Sequence, residues 1–286
     1  MVNQANLIDI KARAKNPKSI CKFGDKLFTT YARWFARSSL IKWNYLLLNL
    51  GLRGIGILNY QTSDLSGERY FIERILRGKV SPVVIDVGAN NGNYASMVRE
   101  CAPGARLVCF EPHPKNLQKL RARQELHAEV IGCAVGKQQG QLELFDYADN
   151  DGSSHASVYR EVIEEIHGCR SLSHIVDILT LDDYCSTNGI DHIDLLKIDT
   201  EGHELAVLLG ASRKINNQCI DAIHFEFNEM NIISRVFLRD FRTLLKDYVF
   251  YRLLPKSWIP LKHNKLDEIF AFQNIVAIRI GAPPIA

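Results

Sequence analysis

Residues 83–94, VVIDVGANNGNY, constrain the fold more than any other stretch of this 286-residue chain. An apolar run of strand length enters Asp86-Val87-Gly88-Ala89-Asn90-Asn91-Gly92 and leaves into a helix-like segment. Residues 106–112, RLVCFEP, form a second apolar run that ends on Glu111 and Pro112. Continuous apolar strands separated by helices imply a parallel sheet covered on both faces. The pattern predicts strands over 83–87, 106–110, 129–135, 193–199, 221–227, 248–254 and 274–280. It predicts helices over 93–101, 114–126, 202–210 and 236–247. The alternation breaks over 141–181, where we expect a strand at 142–147, a loop of turn residues at 149–155, a helix at 157–167 and a strand at 174–180. The last two strands are joined without an apolar helix, which predicts an antiparallel pair at the sheet edge. Residues 17–50 read as mostly helical, and Asp64 or Ser66 fits the cap of a short helix over 67–77. The expected organisation is a helical extension over 1–80 and an α/β domain over 81–286, with an insertion at about 141–181.

Composition excludes little beyond this. A net charge of +3 gives no argument for nucleic acid, and none is expected as a partner. The positive charge is uneven, however. Lys11, Arg13, Lys15, Lys18, Lys22, Lys26, Arg33, Arg37 and Lys42 face only Asp9 and Asp25 in residues 1–42. This pattern fits a solvated helical face or a peripheral contact with an anionic membrane. Residues 41–58 are the most apolar stretch, but Lys42, Asn44, Asn49 and Arg53 interrupt them, so a spanning helix is not expected. The seven cysteines form no CxxC pair and several lie in apolar runs. With no apolar leader at the start of the chain, they read as reduced residues of a cytoplasmic protein.

The first loop selects among nucleotide cofactors. Ligands of open α/β sheets bind outside the carboxyl ends of the strands, where strand order reverses. A dinucleotide fingerprint, G-x-G-x-x-G, would need glycine at positions filled here by Asn90 and Asn93. Instead Gly88 and Gly92 are four apart, a wider loop that disfavours a pyrophosphate. It suits a compact amino-acid carboxylate at a helix N-terminus. S-adenosyl-L-methionine offers such a carboxylate, together with an ammonium group that Asp86 can hold directly or through water. Glu111 can accept from both ribose hydroxyls, since an ionised carboxylate is acceptor-only. Taken singly, Glu111 also fits a helix-capping acid, and Asp86 a strand-end charge. The expected cofactor residues are Asp86, Gly88, Asn90, Gly92, Asn93, Tyr94, Glu111 and Pro112.

Residues 193–211, IDLLKIDTEGHELAVLLGA, carry a second strand-to-helix junction crowded with ionisable groups. Lys197 and Asp199 share one side of the strand by its period of two. A lysine buried there needs a partner, because an unpaired buried charge is very costly. An ion pair that fixes the sheet satisfies this, and so does a pair that shapes an active site.

These segments together resemble the FkbM family of S-adenosylmethionine-dependent methyltransferases. The matching residues are IDVGANNGNY (85–94), FEPHPKN (110–116), TLDDY (180–184), DLLKIDTEGHELAVLLGA (194–211) and, more weakly, HFEFN (224–228) and GSS (152–154). The resemblance covers about residues 80–280. It implies a Rossmann-like class I methyltransferase fold, a mostly parallel sheet with helices on both faces and an antiparallel edge strand. It also implies O-methylation, often of sugars, glycans or hydroxylated natural products.

Methyl transfer to a hydroxyl needs alignment at about 3–3.5 Å and a base for the proton. The candidate catalytic residues are Asp199, Glu201, Glu226 and His203, with solvent exposure the competing reading for His203. Strand alternation puts His224, Glu226 and Asn228 on one side, Phe225 and Phe227 on the other. Asp199, Glu201 and Glu226 are also oxygen ligands of the type Mg²⁺ takes, if a metal is used at all. The insertion is expected to frame the acceptor pocket, with Ser153, Ser154 and His155 from its loop and Asn228 as substrate contacts. Two alternatives stay open: a nicotinamide-dependent oxidoreductase, and a non-catalytic binding protein on the same fold. Oligomeric state has no signature in the chain.

Overall fold

The computed structural model describes residues 17–262, 264 and 267–283, with side chains from Gly24 onward. The chain divides into two compact units between Gly54 and Ile55. The first holds α1 (Pro17–Phe35) and α2 (Ile41–Gly54). Tyr31 stacks on Phe35 at 5.0 Å, and its hydroxyl donates to Asn44 Oδ1 at 2.5 Å. Asn44 in turn donates to the Phe35 carbonyl, so one amide ties the two helices. No residue of α2 is buried. Among the described residues, no helix is long and apolar enough to cross a membrane.

The second unit opens with α3 (Ser63–Ser66) and α4 (Glu68–Leu76), then β1 (Val83–Val87), α5 (Asn93–Cys101), β2 (Arg106–Phe110) and α6 (Pro114–Ala122). Of the two residues read as capping the helix over 67–77, Ser66 Oγ accepts from the first amide of α4, whereas Asp64 lies inside α3, which Thr62 caps. Next come β3 (Glu129–Ile131), β4 (Ala134–Val135), β5 (Gly140–Tyr147), β6 (Ser171–Leu179) and α7 (Leu181–Thr187). The chain continues through β7 (Ile193–Ile198), α8 (Glu204–Leu209), α9 (Ser212–Asn216), β8 (Ile220–Phe227), α10 (Met230–Ser234) and α11 (Leu238–Leu244). It ends with β9 (Tyr248–Leu254), β10 (Ser257–Pro260) and β11 (Gln273–Arg279). The packing unit therefore includes residues 55–80, which the sequence pattern grouped with the extension.

The main sheet runs β10-β9-β11-β8-β7-β1-β2-β3. Strands β8, β7, β1, β2 and β3 are mutually parallel, and β11 is antiparallel to both β8 and β9. The expected antiparallel pair is β9 with β11, but β11 inserts between β8 and β9. The edge itself is β10, a short antiparallel strand inside the segment read as a loop.

Strand residues alternate between two cores. Ile85, Val108, Leu196 and Phe225 face one side with Tyr184, Val207, Leu208 and Phe241 of the covering helices. Val84, Leu107, Leu195 and Val276 face the other with Phe71, Ile72, Ala95 and Val98. At about 25 cal/mol per Å² of apolar area, burial on both faces is what makes such continuous apolar strands stable.

The insertion departs most from the sequence pattern. Strands β5 and β6 pair antiparallel, and β4 joins β6 in parallel, forming a separate three-stranded sheet. The predicted strand 129–135 therefore splits: β3 belongs to the main sheet and β4 to the small one. The predicted helix 157–167 shrinks to a single wide turn over Val162–Ile166. Ser157 is extended instead, exchanging backbone hydrogen bonds of 2.7 and 2.9 Å with Phe145.

Candidate functional site

Chain order reverses between β1 and β7, and the first loop leaves β1 at that point. The register pairs Asp86 with Lys197 and Val87 with Ile198. Gly88 and Ala89 donate their amides to the Phe110 carbonyl at 3.0 and 2.9 Å, which pins the loop to the end of β2. Gly88 has φ +82°, and a Cβ there would collide with the Asp199 carbonyl. Gly92 has φ +81°, and a Cβ there would come within 2.7 Å of Leu120 and 2.8 Å of Leu126. Both glycines are thus demanded by close approach of other protein atoms. Gly92 does not line the cleft, contrary to the expectation that it touches the cofactor.

The loop opens into a cleft of about 260 Å³. Asp86, Gly88, Asn90, Asn93, Tyr94, Glu111 and Pro112 line it, as do Asp199, Glu201, His203, Ser153 and Ser154. Asn93 and Tyr94 form the first turn of α5, where the helix dipole favours a carboxylate. Glu111 accepts from the amides of Asn90 at 2.7 Å and His113 at 2.8 Å. An ionised carboxylate has about four lone-pair sites, so two remain for a ligand diol. Burial raises the Glu111 pKa while those two amides oppose the rise.

Asp86 is 1% exposed, and its Oδ2 has no hydrogen-bond partner among the described residues. Burial pushes its pKa up to about 7, against the attraction of Lys197. Lys197 is equally buried, and its Nζ also makes no hydrogen bond. It lies 3.4 Å from Asp199, 3.8 Å from Glu68, 3.9 Å from Glu226 and over the Tyr94 ring at 5.6 Å. Burial disfavours its charge, but the surrounding acids hold its pKa above the usual lysine value.

The β7–α8 turn is strained. Glu201 has φ +50° and Gly202 φ +104°, and such a conformation costs a non-glycine residue about 1–2 kcal/mol. Glu204, 2% exposed, compensates: its Oε1 accepts from the Thr200 amide (3.1 Å), the Gly202 amide (3.0 Å) and the Thr200 hydroxyl (3.2 Å). The turn aims Asp199 and Glu201 at the cleft. Burial raises the Glu201 pKa, against the hydrogen bond from His155 at 3.2 Å. His203 is not solvent-exposed in the sense expected. Both ring nitrogens are buried without hydrogen-bond partners among the described residues, and burial lowers its pKa to about 4.

The insertion closes one side of this cleft. Asp146 accepts from the Gly152 and Ser153 amides and from the Ser153 hydroxyl, holding the GSS loop down. Asn116 Nδ2 donates to the Ser153 carbonyl at 2.8 Å. Leu144, Ala156 and Val158 add an apolar wall, with Ala134 and Val135 beside it. Of the residues read as substrate contacts, Ser153 and Ser154 line this cleft. His155 does not; it binds Glu201 instead. Asn228 lies apart, its Oδ1 accepting from the Met230 amide at the start of α10.

Glu226 opens onto a second, adjoining cavity, which shares Asn93, Tyr94, Lys197 and Asp199 with the first. Burial and the Asp199 charge raise its pKa well above the usual range. Asp199, Glu201 and Glu226 do not gather within ligating reach of one another among the described residues, and a lysine ammonium lies near two of them. The arrangement expected for Mg²⁺ is therefore not formed. His224, two residues before Glu226 on the same strand, is fully buried, its ring nitrogens engaged by the Tyr94 hydroxyl and Asn274.

Sequence reasoning missed Glu68, Asp146, Glu204 and the Ala134–Val135 wall as parts of the site. An acid followed within a few residues by turn residues, as at Asp146 and DGSS, was a usable sign of a loop anchor. Glu68 carried none, because its proximity to Lys197 spans 129 positions of chain.

Among characterised proteins, the chain is similar to the 2-O-methyltransferase NoeI of Sinorhizobium fredii, 26% identical over 68% of this chain and 83% of that protein. It is 27% identical to the 31-O-demethyl-FK506 methyltransferase FkbM of Streptomyces tacrolimicus, over 51% of this chain and 66% of the relative. It is 23% identical to the hexuronic acid methyltransferase AglP of Haloferax volcanii, over 55% and 62% respectively. The model of the methyltransferase FkbM domain matches residues 86–250, which run from the carboxyl end of β1 through β2, β7 and β8 and take in every residue named as lining the first cleft. With that match over more than half of its length, this chain belongs to the FkbM family of S-adenosylmethionine-dependent methyltransferases.

Proposed function

We propose that this protein O-methylates a hydroxyl of a small molecule, sugar or glycan. The reading is carried by the pairing of Glu111, with two free acceptor sites, and unpartnered Asp86 in one cleft. Glu111 accepts the ribose hydroxyls, Asp86 takes the ammonium, and the first turn of α5 receives the carboxylate. S-adenosyl-L-methionine supplies a methyl on a sulfonium, whose C–S bond yields its electrons to a neutral thioether as the acceptor oxygen bonds the methyl carbon. Asp199, Glu201 and Glu226 are the candidates to take the hydroxyl proton, which leaves the oxygen as its bond to the methyl forms. The relatives whose names specify an oxygen position, NoeI and FkbM, support transfer to oxygen.

The test is transfer of labelled methyl from S-adenosylmethionine to a panel of hydroxyl, amine and thiol acceptors. Label in an ether product supports the reading. Label confined to amines or thiols, or binding of NAD in place of S-adenosylhomocysteine, overturns it.

We also propose that the first unit contacts an anionic membrane surface from the cytosolic side. Phe28, Trp34, Phe35, Trp43, Leu47 and Leu50 are exposed. Residues 24–54 carry Lys26, Arg33, Arg37, Lys42 and Arg53 against Asp25 alone. Exposed aromatic and aliphatic side chains bordered by basic ones favour adsorption to anionic lipid. The free cysteines, with Cys109, Cys133 and Cys185 buried, accord with a reducing compartment.

A further inference from the structure

The insertion walls the first cleft, through Leu144, Ser153, Ser154, Ala156 and Val158. It was expected to frame the acceptor, yet those residues face the same cleft as Glu111 and Asp86. The second cavity lies on the other side of Tyr94 and Lys197. Its walls come from Tyr60, Gln61, Thr62, Ser63 and Glu68, with Glu226 of β8. None of the wall from residues 60–68 is in the first cleft, and the cavities meet at Asn93, Tyr94, Lys197 and Asp199.

Resting on the methyltransferase reading, we propose that the acceptor binds in this second cavity as an uncharged polyhydroxylated molecule, with Lys197 and Glu68 receiving its hydroxyls.

The observation that points to a ligand is Lys197. It is 2% exposed, it lines both cavities, and its Nζ makes no hydrogen bond among the described residues. An ammonium has three donors, and leaving them unmade in a buried site is costly. Asp199 stands at 3.4 Å, Glu68 at 3.8 Å and Glu226 at 3.9 Å, close enough to pair with its charge but with no hydrogen bond formed among the described residues. A hydroxyl oxygen set between ammonium and carboxylate satisfies both, accepting from one and donating to the other. Glu68 and Glu226, the two more distant of the three carboxylates around this ammonium, leave room for two neighbouring hydroxyls.

The charge of the cavity sets the class. Its ionisable lining is Glu68, Glu100, Asp199 and Glu226 against Arg69 and Lys197. Arg69 is spent on Glu100 at 2.7 Å. An acceptor bearing a carboxylate or phosphate meets acids in excess of cations and no unengaged guanidinium among the lining residues; where burial keeps Glu68 or Glu226 protonated, that carboxyl offers a polyol a donor and still supplies no positive charge for an anion. A neutral polyol needs no such charge.

The test uses the full chain loaded with S-adenosylhomocysteine, with methyl glucopyranoside, methyl fucopyranoside and methyl glucuronide as probes in ligand-observed NMR titrations. At least one neutral glycoside is expected to bind, and the glucuronide at least about tenfold more weakly. Glu68→Gln is expected to weaken the neutral glycoside at least about fivefold while S-adenosylhomocysteine affinity stays within about twofold. Glu226→Gln, checked for an unchanged Tm, serves as the second variant and is expected to behave alike. The proposal is overturned if neither neutral glycoside binds, if the glucuronide binds as well as they do, or if both variants bind the glycoside as the wild type does. Calorimetry with S-adenosylhomocysteine alone separates the two levels: no binding there sinks the methyltransferase reading itself.

Discussion

Asp86 and Lys197 are register partners on adjacent parallel strands, both almost wholly buried, and each brings to the cleft lining a polar atom without a hydrogen bond among the described residues. Burying unlike charges side by side is seldom a net source of stability. The pair therefore reads as a site held ready for a charged ligand.

The first prediction concerns pH. Burial raises the Asp86 pKa to about 7, above the unfolded value of about 3.9. The folded state thus keeps a proton that the unfolded chain releases. Its contribution to stability is full below the unfolded pKa and is lost as pH rises through about 7. The Tm of the ligand-free protein should fall between about pH 5 and pH 8. Asp86→Asn should flatten that fall and weaken S-adenosylhomocysteine binding at least about tenfold, a loss of about 1.4 kcal/mol. An unchanged pH profile in differential scanning fluorimetry would remove Asp86 as its source.

Glu111→Ala should do more than weaken the cofactor. Its carboxylate also receives the Asn90 and His113 amides, so truncation leaves two donors unmet. We expect a Tm loss corresponding to about 1–3 kcal/mol, together with a drop in S-adenosylhomocysteine affinity of at least about tenfold. Denaturant melts and calorimetry read the two effects; unchanged affinity would remove Glu111 from the site.

Glu226 bears on turnover. Burial first, then the charge of Asp199, raises its pKa well above the ordinary glutamate range. If it takes the acceptor proton, turnover rises with pH through an inflection above about 4.3. Glu226→Gln should lower kcat about 10²-fold or more and erase that limb, with S-adenosylhomocysteine affinity retained. A pH–rate profile that keeps its rising limb in the variant would pass the role to Asp199 or Glu201.

The first unit should adsorb to lipid. Cosedimentation with phosphatidylcholine vesicles containing phosphatidylglycerol is expected, reduced by salt and by Trp43→Ala with Leu47→Ala. Equal recovery with neutral vesicles, or none with either, would count against an anionic membrane contact.

Much of the central sheet was legible in the sequence because its signals are local. Strands 83–87 and 106–110 and helix 93–101 end where the apolar runs and loop residues place them. Asp86 and Glu111, the acids proposed to hold the nucleotide, could be picked out for the same reason, since both sit at strand ends. What could not be read depends on pairing across distance. The split between Ile131 and Ala134 arises because β6 captures β4, with Ala134 paired to Ile178 across 44 positions of chain. The insertion of β11 beside β8 is likewise invisible to periodicity. Gly92 looked like a ligand-facing glycine, but the demand on it comes from Leu120 and Leu126. Glu68 reached the site only through folding, and no spacing rule links it to Lys197.

A crystal structure of the complex with S-adenosylhomocysteine tests the central claim most directly. Its ribose hydroxyls are expected on Glu111 and its ammonium on Asp86, with the sulfur directed toward the junction of the two cavities at Tyr94 and Lys197. Adenosine seated away from Glu111, or a cleft beside Gly88 that saturating ligand leaves empty, would contradict it.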